Sequence, residues 1–245
     1  MKITIITACY NSIATIGDAI ESVKRQQLPK GVEVEHLIID GGSTDGSEKL
    51  ATLSEKDRGM YDALNKGIKM ATGELIGILN ADDVLTDEHV IARIAEGIEE
   101  EDDAVYADIR FVRELGGETI RYCSGRFFRN WQFRFATFPA HPSTFVRRRC
   151  FERYGGYSLD YRICADFEMM LRLFYVHRIK ARYLPLCTTT MRMGGASTGG
   201  FGANVEINRE DLLALKTNGV WSCLPLIYLK YLAKIWGFVF KRSKI

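Results

Sequence analysis

A chain of 245 residues, 47% hydrophobic and 26% charged, can bury one large core. Its formal net charge of +2 lacks the basic excess of a nucleic-acid binder, so nucleic acid is not an expected partner. Six cysteines (Cys9, Cys123, Cys150, Cys164, Cys187, Cys223) form no C-x-x-C pair, which excludes a zinc ribbon and a disulfide framework. The opening MKITIITACYN has too short an apolar run for a signal peptide, and a cytoplasmic location is expected.

KITIITACYN is a β-branched run ending in a polar turn, a strand. IGDAIESVKRQQ then places Ile16, Ala19, Ile20 and Val23 at helical spacing. VEVEHLIIDGGSTDGSEKLATL repeats the plan: a strand through Ile39, a glycine-rich turn, and a short helix opened by Asp45 and Glu48 in the manner of a capping box. RGMYDALNKGIKMATG reads as a third helix with Met60, Ala63, Leu64, Ile68 and Ala71 inward and Gly73 as its stop. It feeds a buried strand from Glu74 to Leu79 within GELIGILNADDVLTDE. A further helix carries Val90, Ile91, Ile94 and Ile98, with Thr86, Asp87 and Glu88 as its cap and negative first turn.

Strands alternating with helices predict an α/β fold, a mostly parallel, doubly wound sheet. In such sheets ligands lie beyond the carboxyl ends of the strands. Tyr10–Asn11, Asp40–Gly42 and Asn80–Asp83 all fall at that edge. Asp40 taken alone also fits a plain turn before Gly41 and Gly42. The pair Asp82 and Asp83 is harder to dismiss, because adjacent carboxylates at the mouth of a buried strand repel and are costly to desolvate without a cation or strong donors. Thr86, Asp87 and Glu88 already serve the next helix, and Val84 and Leu85 stand where an EF-hand needs an oxygen ligand and its glycine. Hard oxygen ligands without histidine or thiolate suit Mg2+ or Mn2+ brought in with a diphosphate.

ITIITACYN, LIIDGGSTDGS, EKDRGMYDALNKGIKMATGELIGILNADD, HPSTFVRRRCFERYGGY and ICADFEMMLRL occur in an order that resembles the family 2 glycosyltransferases with the GT-A fold. Among these, the pattern resembles especially bacterial surface-polysaccharide enzymes similar to those of colanic acid assembly. The resemblance spans about residues 1–197, leaving 198–245 as a carboxyl-terminal extension. It implies a Rossmann-like sheet, a nucleotide-sugar donor with UDP-sugars favoured, and a glycan or lipid-linked saccharide acceptor. NADD stands in place of the family's DXD-type motif, so Asp82 and Asp83 would hold the metal and Asn80 and Asp82 the donor diphosphate. By the same resemblance Cys9 and Asn11 would line the base and ribose, Asp40 would accept a hydrogen bond from the nucleobase, and Arg58 and Asn65 would face the nucleotide. Arg58 also fits an exposed loop arginine.

Inverting transfer needs a base for the acceptor hydroxyl. Asp166 opens a helix with Phe167, Met170, Leu171 and Phe174 inward, and by residue preference it is an N-cap or a base. The resemblance implies the base, with Glu168 turned away. His141 would either be structural or line the acceptor site, and His177, within a helical pattern, is no evident third metal ligand. The glycine-rich segment 192–202, with Arg192 at its head, reads as a linker or as a loop over the diphosphate. Residues 224–240 are rich in aromatic and aliphatic side chains, with Lys230, Lys234 and Lys241 as a narrow polar stripe. That pattern fits internal packing or an amphipathic helix lying in the membrane interface, with Lys241, Arg242 and Lys244 meeting anionic lipid on the cytoplasmic leaflet. The rival functions are a nucleotidyltransferase, whose triphosphate loop TACYNSIAT lacks, and a non-catalytic sugar-nucleotide-binding subunit.

Overall fold

The computed structural model describes residues 1–193 and 201–239. Strand β1 (Lys2–Cys9) is the first of the parallel set, which continues with β2 (Glu33–Asp40), β3 (Leu53–Ser54) and β4 (Leu75–Ile78) in the spatial order β3-β2-β1-β4. Alternate residues of β1 point to opposite faces, Ile6 into one core and Ile3 and Ile5 into the other. Helix α1 (Ile16–Lys24) covers one face with Ile16, Ala19 and Val23 buried, and α2 (Met60–Met70) covers the other. Of the expected inward face of α2, Ala63, Leu64 and the following Ala71 are buried and Ile68 packs against the core, but Met60 is half exposed and Tyr61 takes its place. Between β2 and β3 the expected short helix is a single 3-10 turn, Ser47–Leu50. Asp45 and Glu48 still satisfy its entry, taking the Ser47 N–H (3.0 Å) and the Gly46 N–H (2.9 Å).

The second half departs from the parallel plan. β5 (Val84–Leu85) and α3 (Val90–Gly97) are followed by β6 (Ala104–Val112), β7 (Thr119–Cys123), β8 (Thr144–Arg147) and, after helices α4 (Arg148–Tyr154) and α5 (Ala165–Met170), β9 (Ala181–Arg192). β8 runs antiparallel to both β4 and β6, β7 to β6, and β5 to β9. Only β6 and β9 pair in parallel in this half. The sheet is therefore mixed, in the order β3-β2-β1-β4-β8-β6-β9-β5 with β7 beside the end of β6. Alternating helices and strands correctly indicated a layered α/β fold, but β8 is inserted between β4 and β6 from later in the chain, which local pattern does not reveal.

Helices α6 (Phe201–Thr217) and α7 (Leu224–Val239) join the main core through Ala214, Leu215, Val220 and Ile227. Lys230, expected on an outward polar stripe, points inward and pairs with buried Asp211 at 2.7 Å. An ammonium buried in that way needs a carboxylate partner, and α6 supplies it. The exposed face of α7 instead carries Leu224, Tyr228 and Leu229. The side chain of Lys234 and residues Lys241, Arg242 and Lys244 lie outside what is described. Among the described residues, no helix is long and apolar enough to cross a membrane.

Candidate active site

The carboxyl ends of β1, β2 and β4 meet at one edge, and their loops are braced against each other before any ligand arrives. Asn11 sits at φ 49°. Its N–H donates to Ser43 Oγ (2.7 Å) and its Oδ1 accepts the Thr44 N–H (3.0 Å), while the Ile13 N–H donates to Asp45 (3.0 Å). Asn11 thus ties the β1 turn to the β2 turn. Cys9 is buried with its thiol against Asp40 (3.7 Å), and burial, followed by the Asp40 charge, pushes that thiol up to about 12. The Cys9 side chain is therefore covered by the protein itself and not presented at the surface of the turn. The neighbouring Tyr10, 65% exposed, presents the surface that the turn offers.

Asp40 requires a correction of the same kind. It is fully buried, and its two oxygens accept the N–H groups of Gly42 and Ser43 (3.0 Å each), the Ser54 hydroxyl (2.7 Å) and the Ser43 hydroxyl. Burial alone would raise its pKa, but these bonds outweigh burial and hold the carboxyl below the usual range. No acceptor position remains for a base, so Asp40 shapes the turn. Asp57, which sequence reasoning passed over, occupies the space above that turn. A Cβ at Gly41 would come within 2.5 Å of Asp57 Oδ2. Asp57 Oδ1 takes the Gly59 N–H at 2.9 Å. The signal available in sequence was the missing side chain at Gly41 next to an uncommitted carboxylate in EKDRG.

Asn65 is also structural. Its amide donates to Tyr157 O and accepts from Tyr157 N, both at 2.8 Å, stapling α2 to the loop after α4, so it has no group turned to a nucleotide. Arg58 is an exposed side chain paired with Asp62 (3.2 Å), and it lines a cavity of about 270 Å³ with Tyr61, Tyr161 and Arg162.

At the end of β4, Asn80 donates its amide to Asp83 Oδ2 (2.8 Å), and Asp83 is only 1% exposed. Its other oxygen, Oδ1, is buried with no hydrogen-bond partner. Burial first, then the Asp82 charge, pushes the Asp83 carboxyl up to about 7, against the pull of Asn80 and Arg192. An orphaned oxygen beside a second carboxylate fits a hard divalent cation, which would supply what both oxygens lack. Among the described residues no three His, Cys, Asp or Glu side chains converge as ligands, so diphosphate and water would complete such a site. His177 stacks on Tyr154 (4.1 Å). Arg192 ends β9, pairs with Asp18 and keeps its Nε buried without a partner. The rest of the expected glycine-rich loop, 194–200, lies outside the described residues.

Asp166 is the second residue of α5, after Cys164 as N-cap, so capping does not explain it. Its Oδ1 accepts the Phe167 N–H (2.8 Å) and the Tyr61 hydroxyl (3.3 Å), which Ile163 O also draws on (2.5 Å). Burial pushes the carboxyl up to about 6, with the Phe167 N–H and Tyr61 hydroxyl pulling the other way. Glu168 is turned away into an ion pair with Arg172 (2.9 Å), as expected. Glu210 of α6, unnoticed in the sequence, takes the N–H groups of Ile163 (2.9 Å) and Cys164 (2.8 Å) and so fixes the loop that delivers Asp166. His141 bonds Tyr157 Oη (2.6 Å), and burial pushes its pKa down to about 4, leaving it neutral. Tyr157 stacks on Tyr61 at 5.5 Å.

The family model described as glycosyl transferase family 2 matches residues 4–155, which contain the whole β1–β4 edge and the carboxylate doublet. The chain belongs to this family. A PGL/p-HBAD biosynthesis glycosyltransferase of Mycobacterium bovis is 30% identical over 257 residues, covering 99% of this chain and 93% of that protein. Among solved structures, TarS 1-349 of S. aureus in complex with UDP-GlcNAc aligns with a TM-score of 0.69 at 17% identity, covering 99% of this chain and 76% of that one. The mannosyltransferase PcManGT of Pyrobaculum calidifontis, in complex with GDP-Man and Mn2+, aligns at 0.65 with 20% identity, covering 97% and 72%. This glycosyltransferase therefore has the GT-A arrangement, a mixed sheet flanked by helices, with its doublet at the end of β4 and Asp166 delivered by the segment beyond the family match.

Proposed function

We propose that this glycosyltransferase transfers one sugar from a UDP-sugar to a glycan acceptor with inversion, using Mn2+ or Mg2+ held at Asp82 and Asp83. The observation that carries the reading is the buried, unpartnered Asp83 Oδ1 beside Asp82. When bound, such a cation offsets charge developing on the leaving diphosphate. Asn80 orients Asp83, and Arg192 adds positive charge near the diphosphate. Asp166 takes the proton from the attacking acceptor hydroxyl. A carboxyl with a pKa of about 6 is ionised at neutral pH yet more basic than an exposed aspartate. The Mn2+ and nucleotide sugars of the two structural neighbours support this reading. Screening sugar nucleotides against lipid-linked acceptors, with the anomeric configuration of product read by NMR, tests it. A retained configuration would refute inversion, and absence of transfer from every donor would favour a binding subunit.

Base recognition passes from Asp40 to Asp57, whose Oδ2 lies above Gly41 and fits the imide N–H of uracil. Asp57→Asn keeps an oxygen for Gly59 but places a donor opposite that N–H. UDP affinity is expected to fall by roughly tenfold, the scale of a hydrogen bond to a charged group, with the metal requirement intact. Unchanged affinity by titration calorimetry would remove Asp57 from the base site.

The acceptor is read as lipid-linked, in surface-polysaccharide assembly at the cytoplasmic leaflet. What supports this is the outward face of α7, where Leu224, Tyr228 and Leu229 stand exposed near Trp221. Replacing those three α7 residues with serine is expected to move the protein from floated anionic vesicles to the soluble fraction. Equal flotation of both proteins would show that this face is not the contact.

A further inference from the structure

A second concavity lies on the same edge of the sheet as the doublet. β6 runs antiparallel to β8, and β8 antiparallel to β4, so β6 and β4 point the same way and end at the same edge. The groove there has a volume of about 320 Å³, within the usual range for small-ligand sites. Its walls are mainly apolar: Ile109 and Phe111 from the end of β6, Phe127 and Phe128 beyond β7, and Phe138 and Pro139 from the segment leading to β8. Phe127 stands 66% exposed at this wall, with the Arg126 guanidinium over its ring at 5.8 Å. Holding a phenyl ring in solvent is unfavourable, and such a ring beside a concavity marks a contact surface.

Two side-chain oxygens of the wall hold hydrogen bonds within the fold. Gln132 Oε1 accepts the Arg129 N–H (2.6 Å) and Ser124 Oγ the Arg126 N–H (3.3 Å). Asp108, buried in the same strand, accepts both Tyr122 Oη (2.9 Å) and Tyr183 Oη (3.0 Å) together with the Gly125 N–H (2.8 Å). Ser124 and Thr137 contribute hydroxyls and Arg121 a guanidinium, but four phenyl rings with Ile109 and Pro139 make most of the lining, and an apolar group covers such a surface better than a sugar does. The Asp108 bonds also fix β7 and the Gly125 turn, so the groove is preformed.

The groove reaches the presumed base through the segment 137–141, one side of which forms its wall. Phe138 contacts the Phe167 ring at 5.3 Å, next in sequence to Asp166. At the other end of the segment His141 bonds Tyr157, which stacks on Tyr61 beside Asp166. We propose that this groove seats the apolar carrier group of the acceptor, an aryl or alkyl aglycone, so that the hydroxyl to be glycosylated extends toward Asp166. The proposal rests on the reading of the chain as a transferase with Asp166 as base, but its test does not require turnover.

Saturation-transfer NMR on the full chain with UDP and Mn2+, using methyl, phenyl and n-octyl β-D-glucopyranoside below the micelle-forming concentration, reads it directly. The phenyl or octyl protons are expected to receive saturation, and those glucosides to bind about tenfold tighter than the methyl glucoside, as burial of a few methylene equivalents implies. A preference for phenyl identifies an aryl carrier, and a preference for octyl an alkyl carrier. Ser124→Trp, which fills the groove, and Phe127→Ser, which removes its lip, should abolish that preference while UDP affinity stays at the wild-type value. Equal binding of the methyl, phenyl and octyl glucosides, or an undiminished preference in Ser124→Trp, would overturn the proposal. Loss of UDP binding in the wild type would instead count against the donor site, with the glucoside series still deciding the groove.

Discussion

Asp83→Ala is expected to strip UDP binding of its dependence on manganese or magnesium and to leave an affinity close to that of the wild type in chelator. Loss of an outer-shell partner alone typically costs roughly 10–100-fold in metal affinity, so loss of a ligand should reach or exceed the top of that range. The substitution removes a buried carboxylate whose Oδ1 has no partner, so the fold should not suffer from its loss; Asn80 is left with one unmatched amide. Titrations of UDP with and without metal distinguish this from general damage, because metal-free affinity should be unaltered. A variant that binds metal and UDP as tightly as the wild type would mean that Asp83 is a structural carboxylate and that the donor site lies elsewhere on the rim.

Asp166→Asn separates binding from chemistry. Donor affinity should persist while the transfer rate falls by roughly a hundredfold or more, the contribution of a positioned general base. The pH profile gives a second readout. A base must be unprotonated, so wild-type kcat, read with donor and metal saturating so that the Asp83 carboxyl does not contribute, should decline as the pH falls through about 6, where burial places the Asp166 carboxyl. The residual activity of Asp166→Asn should lack that limb. Near-normal turnover, or an acid limb that survives the substitution, would assign the base to another group.

The reading of the sequence succeeded where short-range pattern carries the information. The alternation of strand and helix through residue 79 and the polar strand ends all stand where periodicity and turn chemistry place them, and Phe167 and Met170 of α5, with Leu171 and Phe174 in the turn that continues it, are buried as expected. It missed what depends on partners distant in the chain. Asn65 meets Tyr157, Asp40 meets Ser54, and Lys230 meets Asp211, and none of these pairings leaves a trace in local spacing. The direction of β8 is a tertiary fact of the same sort. In α2 only the first position departs: Ala63, Leu64, Ile68 and Ala71 face the core as their spacing predicts, but Tyr61 is buried in place of Met60, its hydroxyl finding Ile163 O. The doublet was legible because two carboxylates at a buried strand end are costly whatever surrounds them. Asp57 was not, because its importance comes from the empty position at Gly41 across a loop.

The brace from Glu210 to the backbone of Ile163 and Cys164 constrains how such enzymes can be recombined. The strand-end rim of β1, β2 and β4 with its carboxylate doublet is built by α3, with Arg192 added from β9, but the loop presenting Asp166 is held from α6, and α6 in turn is anchored to α7 by Asp211 and Lys230. A chimera that grafts the acceptor half of one relative onto the donor half of another must therefore carry α5, α6 and α7 as one block. A crossover placed between α5 and α6 would leave the carboxylate in its helix but separate its loop from the side chain that sets its position.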